Sequence, residues 1–437
     1  MQPAIRLDIS ARENDHSGHV KQAALLLLGL AAAAAAAGPP SPRPQESRDS
    51  GAANWPQWRG PNRDGTTPET VATNWPDGRP REIWRADVGL GHAPVSVAAG
   101  RAVTLGHTGQ NDRVWCLDAV TGSVRWQFDY AAIARCPGEP GAGAYDGPHA
   151  APAIDGTTVY TLSRDGQVHA LDLATGALRW RRDLRADLKA KLPECGFAGA
   201  PLVRDGAVVV NVGTAGVALD AGTGATRWQT GGGMAGYAAP VLDATADRQQ
   251  LLLFGSRALF AVNPANGTTN WSLRWPTEYG VNAADPMVIG DGIFITSSYA
   301  MGCALLDARA GTVRWQNKNL RSQCSPPVLH KGSVYAFDGY IDWPRDEALV
   351  CLDPLGGAVR WRVPKMGGQM ILAGDRVVMM LVTGDLVIAA ASPDAYTELA
   401  RARVCPPEKC TVPPALAAGR LYLRTGAGSV SCLAAAP

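Results

Sequence analysis

The residues that could do chemistry in this chain are a few acids and an amide. Asp146, Glu278 and Asp285 are the acidic candidates, and Asn282 lies between the last two. Carboxylate and amide oxygens are ligands that Ca²⁺ takes, so this set could hold calcium. The alternative is a solvated loop face without a ligand. The seven His residues have no metal-ligand spacing, and the sequence has no C-x-x-C-H segment or nucleophile motif. We therefore expect no metal site and keep calcium as the alternative.

The composition excludes one class of partner. The chain has 437 residues, with 41 Lys and Arg against 39 Asp and Glu and no run of basic residues. Nucleic-acid-binding proteins carry a basic patch or stripe, so we expect no nucleic acid partner. The 49 Gly and 32 Pro are spread along the chain, which favours many short strands joined by tight turns. No stretch after residue 38 is long and apolar enough to span a bilayer, so we expect no membrane span in the mature chain.

The N-terminus has the pattern of an export signal. An apolar, Ala-rich run over 22–38 follows Lys21 and offers small residues for cleavage near Ala37. The segment before it, 1–19, is long and polar for a signal, which one explanation attributes to a true start at Val20. The alternative is an uncleaved N-terminal anchor. We prefer the signal and expect a periplasmic or secreted protein.

An internal repeat decides the fold class. Six segments follow the pattern D/N-x-x-x-G-x-x-x-W and end in Trp126, Trp180, Trp228, Trp271, Trp315 and Trp361. Their spacing, roughly 43 to 54 residues, is that of a four-stranded propeller blade. The Asp or Asn and the Gly suit a tight turn between two strands. The repeat therefore predicts an all-β propeller of antiparallel four-stranded blades.

Counting the repeats gives eight blades. Residues 375–404 have the strands of a seventh blade but no motif Trp. An eighth begins at Pro413–Pro414 and lacks its fourth strand, and the orphan strand 82–89 with Trp84 can supply it. Closure by an N-terminal strand also hides two exposed sheet edges. We expect an eight-bladed β-propeller closed in this way.

The repeat resembles the Trp-docking repeat of pyrroloquinoline-quinone (PQQ)-type eight-bladed propellers over about residues 54–433. The segments WPQWRGPNRDG (55–65), GPHAAPAIDG (147–156) and PLVRDGAVVVNVG (201–213) resemble one branch closely. That branch is the bacterial PQQ-binding-like β-propeller repeat proteins, related to the outer-membrane assembly propellers. In the family each motif Trp packs between neighbouring blades. The resemblance implies the same structural role for the six motif Trp and for Trp84.

The segment before the propeller is unusually aromatic. Family relatives begin with a similar Trp-Pro segment, which implies that Trp55, Trp58 and Trp75 pack against the propeller as a plug or strap. The alternative is an aromatic platform for a ligand. The sequence then divides into a signal peptide (1–37), a disordered linker (38–53), an aromatic strap (54–81) and the propeller (82–437).

The faces of the propeller follow from antiparallel strand order. Loops between blades lie on one face with the loops between second and third strands, and the D-x-x-x-G turns lie on the other. The longest loops, 130–148 and 184–197, are on the first face. Seven residues just ahead of innermost strands are our binding candidates there: His92, His149, Tyr237, Tyr279, Asn282, Asp285 and Gln323. Taken singly, residues of these types in loops more often stabilise the loop than contact a ligand.

Nine cysteines in an exported chain should mostly pair. Cys116, Cys351 and Cys432 share one repeat position that other blades fill with Ala or Leu, so we expect buried thiols. The other six fall on one face. They predict three disulfides, Cys136–Cys195, Cys303–Cys324 and Cys405–Cys410.

Two functions fit these observations. The first is a non-catalytic extracytoplasmic scaffold that binds a protein or carbohydrate partner through its inter-blade loops, without a cofactor and as a monomer. The alternative, carried by the resemblance, is a small oxidoreductase that uses PQQ and Ca²⁺, like alcohol or sugar dehydrogenases. The chain lacks the Cys-Cys pair and the long loops of those enzymes, which favours the scaffold.

Overall fold

The computed structural model describes residues 54–132, 146–245, 248–339, 347–408 and 412–436. The predicted signal peptide and linker, 1–53, lie outside the described residues. Two strands precede the first complete sheet, β1 (Thr66–Thr67) and β2 (Glu82–Asp87). The described helices are one α-helix, α1 (Leu184–Leu188), and one 3₁₀ turn (Glu278–Gly280). Neither helix has the length and apolar character to cross a membrane.

The other strands form blades in chain order, each from its innermost to its outermost strand. Blades 1 to 4 are β3–β6 (Ser96–Ala98, Arg101–Thr108, Asn111–Asp118, Val124–Ala131), β7–β10 (Ala153–Asp155, Thr158–Leu162, Gln167–Asp172, Leu178–Asp183), β11–β14 (Leu202–Arg204, Ala207–Val210, Val217–Asp220, Thr226–Gln229) and β15–β18 (Val241–Thr245, Arg248–Phe254, Ala258–Val262, Thr269–Arg274). Blades 5 to 8 are β19–β22 (Met287–Ile289, Gly292–Ser297, Gly302–Asp307, Val313–Asn317), β23–β26 (Val328–His330, Ser333–Asp338, Ala348–Leu352, Val359–Pro364), β27–β30 (Gly368–Ala373, Arg376–Leu381, Asp385–Ala390, Glu398–Arg403) and β31–β33 (Ala415–Ala417, Arg420–Arg424, Ser429–Ala434) with β2.

The predicted eight-bladed, all-β propeller is confirmed. β2 pairs antiparallel with β33 and completes blade 8, with Trp84 opposite Cys432. The innermost strands of blades 8 and 1, β31 and β3, are in contact, which closes the ring. Because the strands of each blade are antiparallel, the loops divide between two faces. We call these the inter-blade face and the turn face, the latter carrying the D-x-x-x-G turns.

The repeat motif builds the turn between the third and fourth strands. In blade 2 the Oδ1 atom of Asp172 accepts the backbone N–H groups of Ala174 and Thr175, and Gly176 has φ 75°. The other carboxylate oxygen of Asp172 accepts a 2.7 Å hydrogen bond from Arg179, the residue just before the motif Trp. The hydrogen bond from Arg179 lowers the pKa of Asp172 to about 2. The turn is therefore fixed by one acid, which positions the Trp that follows.

The motif Trp residues join the blades. Trp228 stands opposite Ala218 in its own blade and packs on Gly267 of the next, where an added Cβ would lie 2.6 Å from the indole. Its Nε1 donates to the carbonyl of Pro264 at 2.8 Å. The same packing on the next motif glycine recurs for Trp84, Trp126, Trp180, Trp271 and Trp315. A large aromatic ring buried this way holds neighbouring sheets at a fixed spacing.

Two junctions lack a motif glycine, those on either side of blade 7. At the first, Trp361 is present and its indole donates to the Ser392 carbonyl, whereas the junction of blades 7 and 8 has no Trp. In blade 7, Ala400 stands opposite Ile388, in the position that a Trp takes in the other blades. The strap spans this junction instead. β1 pairs in parallel with β27 of blade 7, and the Glu69 carboxylate accepts the N–H groups of Ala418 and Gly419 in blade 8, at 3.0 and 2.7 Å. The strap therefore connects the two blades that have no Trp between them.

The cysteines differ in part from the prediction. Cys116, Cys351 and Cys432 are buried thiols, and burial raises the pKa of Cys116 and of Cys432 to about 12. The predicted Cys303–Cys324 bridge does not form. Cys303 is a thiol that faces the fourth strand of its own blade and donates to Asn317 Oδ1 at 3.2 Å.

The two other predicted disulfides reach segments outside the described residues. Cys195 is disulfide-bonded, and its predicted partner Cys136 lies in one of those segments. The Cys136–Cys195 pairing therefore stays a prediction. Cys405 is a thiol packed against the core shared by blades 1, 7 and 8, so the predicted Cys405–Cys410 bridge does not form. Cys410 itself is outside the described residues.

Candidate functional site

The strap enters the centre of the propeller and contacts every blade. Trp55 exchanges two backbone hydrogen bonds with Val97 of blade 1, and the carbonyl of Pro56 accepts the N–H of Ile154 in blade 2. Side chains of the strap reach blades 3 to 6, and its later residues bond to blades 7 and 8. β1 runs parallel to β27, so the strap leaves toward the turn face. The axis is thus filled by the protein's own chain.

Asp285 is the acid at the centre of this plug. It is 4% exposed and occupies the position before a Pro that Ala151, Ala200 and Ala239 fill in blades 2 to 4. Those three alanines pack around the Trp58 ring. Trp58 Nε1 donates to Asp285 Oδ2 at 2.6 Å, and the N–H of Ala239 donates to Oδ1 at 2.8 Å. Both carboxylate oxygens are therefore engaged by the fold.

Two guanidinium groups accompany this carboxylate. Arg59 is buried, lies 3.9 Å from Asp285 Oδ2 and donates to the carbonyls of Asp64 and Pro327. Arg63 donates to the carbonyls of Pro201 and Pro240 at 2.9 and 3.2 Å. Burial lowers the pKa of Arg63 to about 10. Burial also raises the pKa of Asp285, and the Arg59 charge opposes that rise.

Asn282 is a structural residue. Its side chain is fully buried, and Nδ2 donates to the carbonyls of Gly255, Ser256 and Trp275. Its Oδ1 accepts the Ser297 hydroxyl at 2.8 Å. Its backbone carbonyl accepts the N–H groups of Tyr237 and Ala238. The amide holds the loop between blades 4 and 5, and both its oxygen and its nitrogen are bonded within the protein.

The acids and the amide do not fit a calcium-bound quinone. Asp285 is bonded to Trp58 and faces a guanidinium, while the Asn282 amide is bonded to backbone carbonyls and to the Ser297 hydroxyl. Glu278 is exposed at the rim, away from the buried Asp285. A cation beside Arg59 would meet like charge, and the strap occupies the axial volume. No group of three potential ligand side chains gathers anywhere in the described residues.

Three of the predicted binding residues gather around blades 1 to 4. His92 is 9% exposed and its ring meets that of His149 edge-on, with centroids 5.3 Å apart. Gly426 of blade 8 closes over His92, since an added Cβ there would lie 2.4 Å from the ring. Tyr237 is half-buried, and its hydroxyl accepts the N–H of disulfide-bonded Cys195 at 3.3 Å. These side chains mainly support loops, and His149 and Tyr237 are partly exposed on the inter-blade face.

Tyr279 and Gln323 lie in a second sector, over blades 4 to 6. Tyr279 is 66% exposed, and its ring meets that of Tyr299 edge-on at 5.8 Å. Gln323 Nε2 donates to the Tyr299 hydroxyl at 3.1 Å. Both tyrosines have left-handed backbone, with φ 58° and 52°, which is costly for a bulky residue and concentrates at functional sites.

A narrow cleft opens beside Gln323. It is lined by Ser322, Gln323 and Ser325 at the entrance of blade 6, with Asp338 and Glu347 opposite. The Asp338 carboxylate accepts a 2.9 Å hydrogen bond from Arg321 and a second hydrogen bond from Arg362. Two guanidinium groups therefore pair with the Asp338 carboxylate. Cys324, Phe337, Gly339 and Gly368 complete the lining.

Sequence reasoning missed the axial arginines and this cleft. Arg59 and Arg63 carry no periodic signal, because the strap is outside the repeat. Asp285 did carry one: it is an acid in a position where three other blades have Ala before Pro. A comparison of that column alone would have placed Asp285 on the axis. Ser325 has no signal of its own, since a serine ahead of a proline pair is common in loops.

Comparisons with known proteins agree with this architecture. Residues 131–363 match the family model described as outer membrane protein assembly factor BamB. The protein of that name from Yersinia pestis is 21% identical over 324 residues, which is 70% of this chain and 76% of that protein.

Solved structures show the same fold. BamB from Moraxella catarrhalis matches with a TM-score of 0.60 and 18% identity, covering 82% of this chain and 100% of that chain. Quinohemoprotein alcohol dehydrogenase from Comamonas testosteroni matches with a TM-score of 0.66 and 16% identity, covering 88% and 81%. At these identities the structural likeness shows the fold alone. The family match spans more than half of the chain, which therefore belongs to the BamB family of PQQ-like β-propellers.

Proposed function

We propose that this protein is a non-catalytic, extracytoplasmic scaffold that binds a protein partner through its inter-blade face. One observation carries the proposal: the Trp58–Asp285 contact inside the plugged axis. This contact engages the Asp285 carboxylate in a structural hydrogen bond. It also places the Trp58 ring on the axis, where a propeller of this fold would bind a cofactor. The surface left for recognition is the set of loops around the plug. Loops on a rigid frame are where binding residues concentrate.

The family supports a scaffold role. The relatives from Yersinia pestis and Moraxella catarrhalis carry the name of an outer membrane assembly factor or its symbol, BamB. The Ala-rich run at 22–38 supports export, which an assembly role in the envelope requires. The alternative, a quinone-dependent oxidoreductase, has a structural neighbour of the same fold. The engaged Asp285 and Asn282 argue against it.

The loop after blade 2 is where we place the protein contact. Residues 184–197 contain α1 and disulfide-bonded Cys195, and Lys191 bridges to Met234 of the next inter-blade loop. Lys191 and Glu194 point outward as exposed side chains. A loop tied at both ends presents a fixed surface, which lowers the entropy lost on binding.

Site-specific photo-cross-linking in the native host tests this function. A photoreactive residue replaces Lys191 or Glu194 on the inter-blade face, and Val120 or Leu355 on the turn face as matched exposed controls. We expect one discrete protein adduct from the first pair and none from the second. Equal adduct patterns from both faces, or none from either, would refute binding through the inter-blade face.

A further inference from the structure

We propose that the sector formed by Tyr279, Tyr299, Gln323 and Ser325 is a binding site for a neutral saccharide chain. The inference extends the proposed function, because it names a second ligand on the same inter-blade face. The tyrosines offer a stacking surface and the adjoining cleft offers hydrogen-bonding oxygens. A sugar ring presents both matching features, an apolar face and a rim of hydroxyl groups.

The aromatic part is rigid and accessible. Tyr279 exposes two thirds of its surface, although a large apolar ring usually packs against its own protein. The Tyr279 ring is held in place by edge-on contact with Tyr299. Gln323 in turn donates a hydrogen bond to the Tyr299 hydroxyl. Two neighbouring tyrosines with positive φ store backbone strain. An exposed ring held by strained backbone is arranged for contact with something outside the protein.

The polar part has oxygens without partners. Ser325 is 95% buried, lines the cleft and has no hydrogen-bond partner for Oγ; Gln323 Oε1, also in the lining, has none either. Thr277 Oγ1 and Ser298 Oγ, which flank the tyrosines in sequence, are likewise unpaired among the described residues. Buried polar atoms are nearly always bonded, so such a group calls for a ligand or an ordered water.

The chemistry of these atoms selects the ligand. Gln323 Oε1 only accepts hydrogen bonds, and serine hydroxyls both donate and accept. The ligand must therefore bring several donors close together, which the hydroxyls of a saccharide do and a peptide backbone, with one N–H per residue, does not. The Asp338 carboxylate is already paired with Arg321 and Arg362, and apart from Glu347 the other side chains of the lining are neutral, so we assign an uncharged ligand.

Saturation-transfer NMR with a panel of neutral hexasaccharides tests the site. The probes are β-1,4- and α-1,4-linked glucose and β-1,4-linked N-acetylglucosamine oligomers, each titrated into the mature protein up to about 10 mM, the weak end of specific binding. We expect at least one to saturate. Tyr279→Ala should weaken it at least about tenfold and Ser325→Ala about three- to tenfold, while Tyr279→Phe keeps the stacking ring and binds within about threefold of the parent.

The controls separate this site from the proposed scaffold. Leu355→Ala removes an equally exposed apolar side chain on the turn face and should leave saccharide binding unchanged. Ser325 Oγ has no partner, so its removal should not lower the melting temperature. No saturation by any probe, or saturation that Tyr279→Ala and Ser325→Ala leave unchanged, overturns the saccharide site. If no sugar saturates and a photoreactive residue at 279 captures the partner seen from 191 and 194, the sector is a protein contact, and the scaffold stands alone.

Discussion

The indole of Trp58 donates a 2.6 Å hydrogen bond to Asp285, a buried carboxylate 227 residues further along the chain. We predict that Trp58→Phe, which keeps an aromatic ring and removes the donor, destabilises the protein by about 1–3 kcal/mol, since a buried acceptor loses its partner. Chemical denaturation measures the change. Trp75→Phe in the same strap is the control, because Trp75 packs only at the edge of the core shared by blades 1, 7 and 8.

The stability losses of Trp58→Phe and Trp75→Phe must be compared with each other. A loss for Trp58→Phe no larger than for Trp75→Phe would show that the Asp285 contact contributes nothing to stability. A larger loss together with unchanged secondary structure by circular dichroism would support the strap as a bonded plug.

The spacing between blades depends on the motif glycines. Gly267 has φ 72°, and an added Cβ would lie 2.6 Å from the Trp228 ring. Gly332 has φ 75° with nothing within 4 Å of an added Cβ. Both substitutions to Ala carry a similar backbone cost, about 1–2 kcal/mol, but only Gly267→Ala must displace the indole, which adds about 1–3 kcal/mol. Thermal melts of both variants measure the difference, and equal shifts would contradict inter-blade docking by Trp228.

The junction of blades 7 and 8 depends on the strap. Glu69→Ala leaves the N–H groups of Ala418 and Gly419 without their carboxylate, and we expect a loss of about 1 kcal/mol because the site is exposed. Glu82→Ala is the charge-matched control, since Glu82 only bonds the exposed Arg85. Hydrogen exchange should show faster opening of β31 and β27 in Glu69→Ala alone. Unchanged exchange there would mean that the strap does not hold this junction.

Acid should weaken the protein through His169. This side chain is 1% exposed, lies 4.6 Å from the Tyr130 ring centroid, and burial lowers its pKa to about 4. The unfolded chain binds a proton near pH 6.5 and the folded chain does not, so stability falls as the pH drops from 6.5 toward 4 and then levels off. The full effect is about 3 kcal/mol. His169→Phe should flatten this part of the pH profile in denaturation experiments, whereas a profile identical to the parent would contradict the assignment.

The regular part of the fold could be predicted because it repeats. Six copies of one motif fix turn, glycine and Trp together, and the strands follow from the spacing between them. The degenerate blade was found for the same reason, since its strands remain where Ala400 replaces the Trp. The sequence repeat therefore predicts the strands and turns of each blade and the contacts between adjacent blades.

The candidate functional site is formed by segments outside the sequence repeat. The course of the strap along the axis depends on single contacts, such as Arg63 with the carbonyls of Pro201 and Pro240, which no repeat encodes. The predicted Cys303–Cys324 bridge failed because Cys303 turns toward Asn317 in its own blade. A shared face is necessary for a disulfide, but the direction of each side chain decides it. The sequence predicts Tyr279 as a binding candidate in a loop. It gives no comparable signal for Tyr299 or for Ser325.

A titration of the purified mature protein with PQQ and Ca²⁺ tests the central claim most directly, because the claim is that the strap, and not a cofactor, occupies the axis. A ligand that binds only the folded state would raise the melting temperature, by an amount that grows with the logarithm of its concentration above the dissociation constant. We predict no saturable, Ca²⁺-dependent change in melting temperature or quinone absorbance, with an authentic quinoprotein dehydrogenase as positive control. Saturable Ca²⁺-dependent stabilisation that is lost in Asp285→Asn would contradict the account and make the protein a quinone-binding one.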